Sequence, residues 1–131
     1  MKPPINADER RLDEITDKVI GCAFVVSNIL GAGFVEKVYE NALAHELRMA
    51  GLSVAQQYAI AVSYKDIIVG EYVADLLVAS EVIVELKAVR ALDDVHAAQC
   101  MNYLKATGRR VCLLFNFGRP RVEVRRIVLG F

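Results

Sequence analysis

The sequence is poor in the residues that mark disulfide-bonded, zinc-binding and membrane-spanning proteins. Its 131 residues include three cysteines, two histidines and no tryptophan. The cysteines form no C-x-x-C pair and the histidines no H-E-x-x-H pattern, so neither a redox motif nor a zinc site is predicted. Apolar runs such as residues 111–115 fall far short of the ~18 residues that cross a bilayer, and no signal segment is expected. We therefore expect a cytoplasmic protein with no membrane partner.

The chain is apolar for its length. Apolar residues make up 55% of it and its mean hydropathy is +0.33, whereas soluble domains are roughly 45–50% apolar. Such a chain can bury a core of its own. We expect one domain over residues 1–131, with residues 1–7 forming a flexible N-terminus. The apolar excess also makes a homo-oligomer unsurprising.

The charges cancel overall but are unevenly distributed. Residues 1–86 hold 7 Lys and Arg against 13 Asp and Glu, a net charge of −6, whereas residues 87–131 hold 9 against 3, a net charge of +6. A basic C-terminal segment could face phosphates while the acidic segment holds cations. The alternative is a solvated surface on which both signs mix after folding.

The apolar pattern changes from helical spacing to alternation and back. Apolar steps of three or four predict amphipathic helices, and period-two alternation predicts strands. The predicted helices cover residues 8–30, 34–50 and 95–107, and the predicted strands cover residues 53–64, 67–78, 82–89, 111–117 and 122–129. The order ααβββαββ predicts an α/β (α+β) fold, in which a mixed β-sheet is flanked by helices.

Charged residues interrupt two of these strands at related positions. Glu85 and Lys87 are two residues apart, so both project from one face of an otherwise apolar strand. If the preceding hairpin centres on Ser80, Asp75 lies directly opposite Glu85, with Cβ atoms ~4.5–5.5 Å apart. The alternative is an edge strand on which Glu85 and Lys87 pair in water.

Two opposed carboxylates indicate a cation between them, because like charges at this distance repel and should raise at least one pKa. Mg²⁺ or Mn²⁺ suits such a site, since these ions bind one or two carboxylates with waters and a substrate phosphate. We therefore expect Asp75 and Glu85 to bind one of these ions, with Lys87 near the water or the phosphate.

The same residues resemble the D…E-x-K core of the PD-(D/E)XK nuclease superfamily. Asp75 is followed by Glu85-Leu86-Lys87, and residues 33–39 read G-x-x-E-x-x-Y. The latter motif names the GxxExxY proteins, a family of small, mostly bacterial proteins classed with that superfamily. The resemblance covers residues 12–129 and implies a PD-(D/E)XK nuclease-like core. The proline of the superfamily name is absent before Asp75, as in many members.

The resemblance also implies roles for residues outside these strands. Glu36 corresponds to the acidic residue with which many members complete the metal site, and the main-chain carbonyl of Leu86 would be a further ligand. Tyr39, one turn after Glu36, is expected to face the site and contact substrate. Gln99 and Tyr103 form a Q-x-x-x-Y pattern that resembles the extra motif of RecB-like and phage-exonuclease-like members, in which both help to position the substrate strand or the catalytic centre.

These helical residues also have structural alternatives. Glu36 would complement the helix dipole in a first turn, and Tyr39 would suit an ordinary amphipathic core. His96, one turn before Gln99, could join the Q-x-x-x-Y pattern, but it is interpreted as a helix-surface histidine. Glu40 and Glu46 are expected to be solvated.

The expected function is that of a Mg²⁺-dependent (or Mn²⁺-dependent) phosphodiesterase, a nuclease, that acts on nucleic acid, with DNA the expected substrate. The metal would polarise the phosphate and lower the pKa of a bound water. Lys87 would orient or help to deprotonate that water, with Gln99 as a further catalytic residue. Substrate phosphates would meet basic side chains of the C-terminal segment, namely Arg90, Lys105, Arg109 and Arg110, with Arg119 and Arg121 as further candidates.

The alternative function is a non-catalytic module that binds nucleic acid or protein on a nuclease-like fold, because fold alone does not fix function. We expect either of two structural outcomes to overturn the nuclease interpretation. One is a register slip that sends Asp75 and Glu85 to opposite faces, and the other is a Glu36 side chain that points into bulk water far from Asp75.

Overall fold

The computed structural model describes residues 6–130, in which three helices surround a five-stranded sheet. The elements follow the predicted order ααβββαββ. The helices are α1 (Ala7–Leu30), α2 (Glu36–Met49) and α3 (Asp94–Thr107). The strands are β1 (Val54–Tyr64), β2 (Ile67–Val78), β3 (Val82–Lys87), β4 (Val111–Asn116) and β5 (Glu123–Val128). The predicted fold class is confirmed, with element bounds that differ from the prediction by at most two residues.

Helix α1 begins at Ala7, at the end of the segment 1–7 that is expected to be flexible. The side chain of Asn6 accepts a hydrogen bond from the backbone N–H of Glu9 (2.9 Å) and caps α1, which starts at Ala7. Residues 6 and 7 thus belong to the cap and first turn of α1, whereas the expected flexibility of the segment stays a prediction, and residues 1–5 lie outside the described residues. No helix within residues 6–130 is both long and apolar enough to span a membrane.

The sheet has the strand order β1-β2-β3-β4-β5. Neighbouring strands are antiparallel except for β3 and β4, which are parallel and joined through α3. β1 and β2 are 11 and 12 residues long whereas β3 has 6, and β2 pairs with β3 only from Leu76 to Val78. The outer part of the β1–β2 hairpin, residues 58–74, therefore extends beyond β3, and we call it the hairpin arm.

Two tight turns fix the register of the first three strands. Both residues of the Lys65-Asp66 turn have left-handed φ values (48° and 69°), as do both residues of the Ala79-Ser80 turn (53° and 58°). This is the conformation of type I′ turns, which match the twist of a hairpin. After the second turn Val78 pairs with Val82, so the register predicted for a hairpin centred on Ser80 is confirmed.

Helices cover both faces of the sheet, α1 and α2 on one face and α3 on the other. On β3, Val84 and Leu86 pack in the core shared with α1 and α2, whereas Ile83 packs in the core shared with α3. Glu85 and Lys87 have the same parity as Ile83, so they lie on the α3 face.

Candidate active site

Asp75 and Glu85 lie side by side where β2 and β3 stop pairing. The ladder ends at the Leu76–Val84 pair, and the next position on each strand is one of the two acidic residues. The backbone N–H of Asp75 donates to Glu85 Oε1 (3.1 Å), and the backbone N–H of Leu86 donates to Asp75 Oδ2 (2.8 Å). Each carboxylate therefore accepts a hydrogen bond from the opposite strand, and the register slip that would separate the two residues does not occur.

Glu85 is a buried carboxyl, with only 4% of its surface exposed. Its Oε2 accepts a hydrogen bond from the hydroxyl of Tyr103 on α3 (3.0 Å). Burial, and then the neighbouring Asp75 carboxylate, raise the pKa of Glu85 to about 8. Burial and the charge of Glu85 also raise the pKa of Tyr103, so its hydroxyl stays neutral and donates. A cation between Asp75 and Glu85 would offset both the burial of the Glu85 charge and the repulsion from Asp75 that raise this pKa.

The main-chain carbonyl of Leu86 faces the β2 side of β3, the side on which Asp75 lies. The carbonyl of Lys87 accepts a hydrogen bond from the backbone N–H of Phe117, on the β4 side (2.8 Å). Because successive carbonyls of a strand point to opposite sides, that of Leu86 points toward β2, as its own N–H does. Two carboxylates and one carbonyl are hard oxygen ligands, so this donor set fits Mg²⁺ or Mn²⁺.

Strands β1 and β2 share an irregularity at Asp75. Their ladder omits both Gln57 and Asp75, and Gln57 has a left-handed φ of 54°. Val54 packs on the α1/α2 side of the sheet, whereas Tyr58, four residues later, packs on the α3 side. Residues of the same parity on β1 therefore face opposite sides of the sheet before and after Gln57. At this irregularity the Asp75 side chain accepts a hydrogen bond from the backbone of β3.

Lys87 lines a cavity of about 400 Å³ between the hairpin arm and α3. Gln99, Tyr103 and His96 line the same cavity, so the structure brings the Q-x-x-x-Y pattern together with the E-x-K motif. His96 also has a structural function, because its Nδ1 accepts a hydrogen bond from the backbone N–H of Asp93 (3.2 Å) and completes a capping box at the start of α3.

Glu36 does not join the two carboxylates. It is the first residue of α2 and is exposed. Within residues 6–130, no group of three or more His, Cys, Asp or Glu side chains is placed to hold a metal ion. The prediction that Glu36 reaches a shared ion is therefore wrong. A carboxylate in a first helical turn is stabilised by the helix dipole while facing solvent, and the site has two carboxylates, not three.

Tyr39 packs in the core and does not present a surface to substrate. Its ring is fully buried and stacks on Phe117, with ring centroids 4.7 Å apart. Its hydroxyl donates to the carbonyl of Gly31 (2.6 Å) and accepts from the backbone N–H of Phe34 (3.2 Å). Tyr39 thus fixes the connection between α1 and α2, which corrects the expected substrate contact.

Glu40 is buried, although the sequence interpretation placed it in solvent. Only 3% of it is exposed, and it accepts hydrogen bonds from the side-chain amides of Gln56 (2.8 Å) and Gln57 (2.6 Å) and from Lys37 Nζ (3.2 Å). These donors offset the cost of burying a charge. Because Gln57 is left-handed, two successive amides reach the same helix, and α2 is joined to β1 beside the irregularity at Asp75.

The basic residues of the C-terminal segment are divided between the two ends of the sheet. Lys105 lines a second cavity, of about 560 Å³, that adjoins the first, and Arg90 is exposed just after β3. Arg109 and Arg110 precede β4 and are level with the start of β3, five residues or ~17 Å along the strand from Lys87. They line a separate pocket, against the expectation that they lie at the site.

Two further arginines form ion pairs within the protein. Arg126 Nη2 is 2.9 Å from the Asp13 carboxylate, and Arg119 Nε is 3.9 Å from that of Glu123, while Arg121 is exposed. The acidic and basic segments therefore mix in part on the folded surface.

Two features of the site were not predicted. Tyr72, on the hairpin arm, lines both cavities and is 51% exposed; no sequence signal marks it, because its exposure depends on β3 being shorter than β2. Asn116 is fully buried, and its side-chain amide both accepts from and donates to the backbone of Val89 (3.0 Å each). It thereby holds the segment that follows Lys87. A lone amide at the end of an apolar strand was the available signal.

The fold and the paired carboxylates define a nuclease-like domain, and comparison with known proteins gives its family. A family model described as the PD-(D/E)XK nuclease superfamily matches residues 13–127, so the chain belongs to that superfamily. Assignment to the GxxExxY proteins within it stays a prediction from the motif. Comparison with curated proteins gives no match.

Two solved structures share the fold. The alkaline exonuclease LHK-Exo from Laribacter hongkongensis is 14% identical, with a TM-score of 0.54 over 98% of this chain and 73% of that chain. The protein SSO0001 is 17% identical, with a TM-score of 0.53 over 93% of this chain and 61% of that chain. This chain thus spans less than two thirds of SSO0001. At such identities the likeness concerns the fold alone.

Proposed function

We propose that this chain is a Mg²⁺- or Mn²⁺-dependent phosphodiesterase that cuts nucleic acid, with DNA as its expected substrate. The observation that carries the proposal is the pair of carboxylates of Asp75 and Glu85, which meet at the end of the β2–β3 ladder with Lys87 on the Glu85 face of β3. Such a pair is unfavourable in a purely structural sheet. Membership of the PD-(D/E)XK nuclease superfamily supports the same conclusion.

Each site residue has a role that suits its position. Asp75 and Glu85, with the carbonyl of Leu86, would hold the cation. When bound, the cation supplies Lewis-acid activation of the scissile phosphate and of a water molecule. Lys87 would orient that water, assist its deprotonation and offset negative charge on the phosphate. Gln99, which lines the cavity beside Lys87, would hold the substrate in place.

The basic residues near the cavity would bind substrate phosphates. Lys105 lines the adjoining cavity and Arg90 is exposed just beyond β3, so both can contribute without being part of the catalytic centre. Arg109 and Arg110, at the other end of the sheet, are not assigned to this surface.

The test is cleavage of labelled single- and double-stranded DNA and RNA in Mg²⁺, in Mn²⁺ and in EDTA. We expect cation-dependent cleavage that Glu85→Gln and Lys87→Met each abolish. Lys18→Met is the matched control, because Lys18 is exposed on α1, on the opposite face of the sheet, and it should cut like the wild type. If the wild type cleaves none of the four substrates, the proposal is overturned.

A non-catalytic binding module is the second candidate, and one observation favours it. Glu36 is exposed, which is the outcome that the sequence analysis set against a nuclease, and within the described part of the chain no third His, Cys, Asp or Glu completes the site. Titration calorimetry with Mn²⁺ separates the two candidates. Binding that Asp75→Asn abolishes supports the enzyme, whereas no binding up to millimolar Mn²⁺ supports the module.

Oligomeric state and location stay predictions. The tip of the hairpin arm exposes large apolar side chains, those of Tyr64, Ile67, Ile68 and Val69, each more than 60% exposed. A homodimer would be expected to cover some of this surface, and sedimentation at micromolar concentration tests it. A cytoplasmic location is proposed on composition alone.

A further inference from the structure

The two cavities beside the carboxylates form one groove between α3 and the hairpin arm. The first contains Lys87 and Gln99, and the second contains Lys105. Tyr72 and Tyr103 line both cavities, so the groove continues from Lys87 outward along the arm. It exists because β2 runs on past the end of its ladder with β3, which leaves this part of the arm without a neighbouring strand on that side.

Tyr72 offers an open aromatic surface in the middle of this groove. It is 51% exposed, and its ring is tilted by 59° against that of Tyr103, with centroids 6.1 Å apart. The position of Tyr103 is fixed, because its hydroxyl donates to Glu85 Oε2 (3.0 Å) and only 2% of its surface is exposed. Tyr72 thus contacts a buried ring and leaves half of its own surface open, so it can serve as a stacking platform for a planar ligand.

The charges at the groove suit a phosphate-linked ligand. Lys87 lies at the end near the carboxylates and Lys105 lies on the outer part, with the Tyr72 ring between them. Alternation of a cation, an aromatic ring and a second cation is the pattern with which proteins bind single nucleic-acid strands, phosphates on the cations and bases on the ring. A base inside a duplex has both faces stacked on its neighbours, so only an unpaired base can stack on Tyr72.

We propose that this groove binds a single nucleic-acid strand, with an unpaired base stacked on Tyr72 and the adjoining phosphates at Lys87 and Lys105. The inference rests on the proposed function and narrows its substrate to unpaired strands or unpaired ends, which the groove would lead to the paired carboxylates.

Fluorescence anisotropy with labelled oligonucleotides in EDTA measures this binding without cleavage. The probes are an oligothymidylate strand, an oligouridylate strand and a blunt DNA duplex. We expect the single strands to bind more tightly than the duplex, and Tyr72→Ala to weaken single-strand binding roughly 5- to 100-fold. Tyr72→Trp should restore it, because a larger aromatic face remains. The two single-strand probes show whether the groove prefers DNA or RNA.

Tyr64→Ala is the matched control, because Tyr64 lies on the same arm with 62% exposure but does not line the groove. It should bind like the wild type. Thermal unfolding of each variant separates lost binding from lost fold. Equal affinity of wild type and a folded Tyr72→Ala variant, or equal losses in Tyr72→Ala and Tyr64→Ala, would overturn the inference.

The two proposals fail in different ways. If the wild type cuts nucleic acid but Tyr72→Ala binds and cuts equally well, the groove inference fails and the nuclease proposal stands. If single-strand binding depends on Tyr72 but no cation supports cleavage, the nuclease proposal fails and the groove remains a binding site.

Discussion

Asp75 and Glu85 each accept a side-chain hydrogen bond from the backbone of the opposite strand, at the point where β2 and β3 stop pairing. The Asp75 backbone N–H bonds Glu85 Oε1 at 3.1 Å, and the Asp75 carboxylate receives the N–H of Leu86 at 2.8 Å. The strands therefore stay connected through side chains after their main-chain ladder ends at Leu76 and Val84. This arrangement keeps two carboxylates together against their repulsion and makes the protonation of Glu85 part of the stability of the fold.

The first prediction concerns this protonation. Glu85 has an ordinary pKa of 4.5, which the fold raises to about 8, so between these values the folded protein binds one proton more than the unfolded chain. Its stability should therefore fall as pH rises through this window and stay low above it. Glu85→Gln removes this dependence. In EDTA at pH 9 the variant should be more stable than the wild type by about 2–4 kcal/mol, as measured by urea unfolding.

Glu71→Gln is the control for this experiment, because Glu71 is an exposed residue of the same hairpin. It should have the pH dependence of the wild type. If the difference between Glu85→Gln and the wild type is the same at pH 5 and at pH 9, the raised pKa of Glu85 is contradicted.

The fold could be predicted from the sequence because its signals are local. Helical spacing, alternation and turn residues specify the eight elements, and the Ala79-Ser80 turn specifies the register that brings Asp75 and Glu85 together. The rest depends on contacts that a single element does not encode. The change of faces at Gln57 involves two strands and Glu40 on α2, and alternation read along one strand misses it.

The errors over Glu36 and Tyr39 have the same origin. Helical spacing places both residues on related faces of α2, but the rotation of α2 against the sheet is set by packing. The packing buries Tyr39 on Phe117 and leaves Glu36 exposed. Tyr72 on β2 was not predicted as a site residue, because its exposure follows from the short length of another strand, β3.

The second prediction tests Tyr103 as a positioning residue for Glu85. Tyr103→Phe keeps the ring but removes the hydrogen bond to Glu85 Oε2, so the ionised carboxylate loses a buried donor and the pKa of Glu85 rises further. Mn²⁺ affinity, measured by calorimetry, should fall about tenfold at pH 7 and by less at pH 9. Tyr72→Phe keeps its ring in the same groove and should leave Mn²⁺ affinity unchanged. Equal losses at both pH values would show that Tyr103 supports only the fold.

The third prediction follows from the two-carboxylate site. Asp75→Asn should reduce Mn²⁺ affinity at least tenfold, because it removes one of the two carboxylates at the end of the ladder. Glu36→Gln should change it less than about twofold, because Glu36 is exposed and does not join the pair. Calorimetry under the same conditions compares the two variants. A loss in Glu36→Gln as large as that in Asp75→Asn would restore Glu36 as a ligand.

The fourth prediction concerns the segment that follows Lys87. A Cβ at Gly118 would clash with the backbone carbonyl oxygen of Val89. Relief of this clash would displace the backbone of the segment that Asn116 also holds. Gly118→Ala should therefore destabilise the protein by about 2–4 kcal/mol. In Gly21→Ala, where a Cβ on α1 meets nothing within 4 Å, stability should instead rise by up to about 1 kcal/mol through helix propensity. Urea unfolding measures both, and a Gly118→Ala variant as stable as the wild type would show that the segment after Lys87 is free to shift.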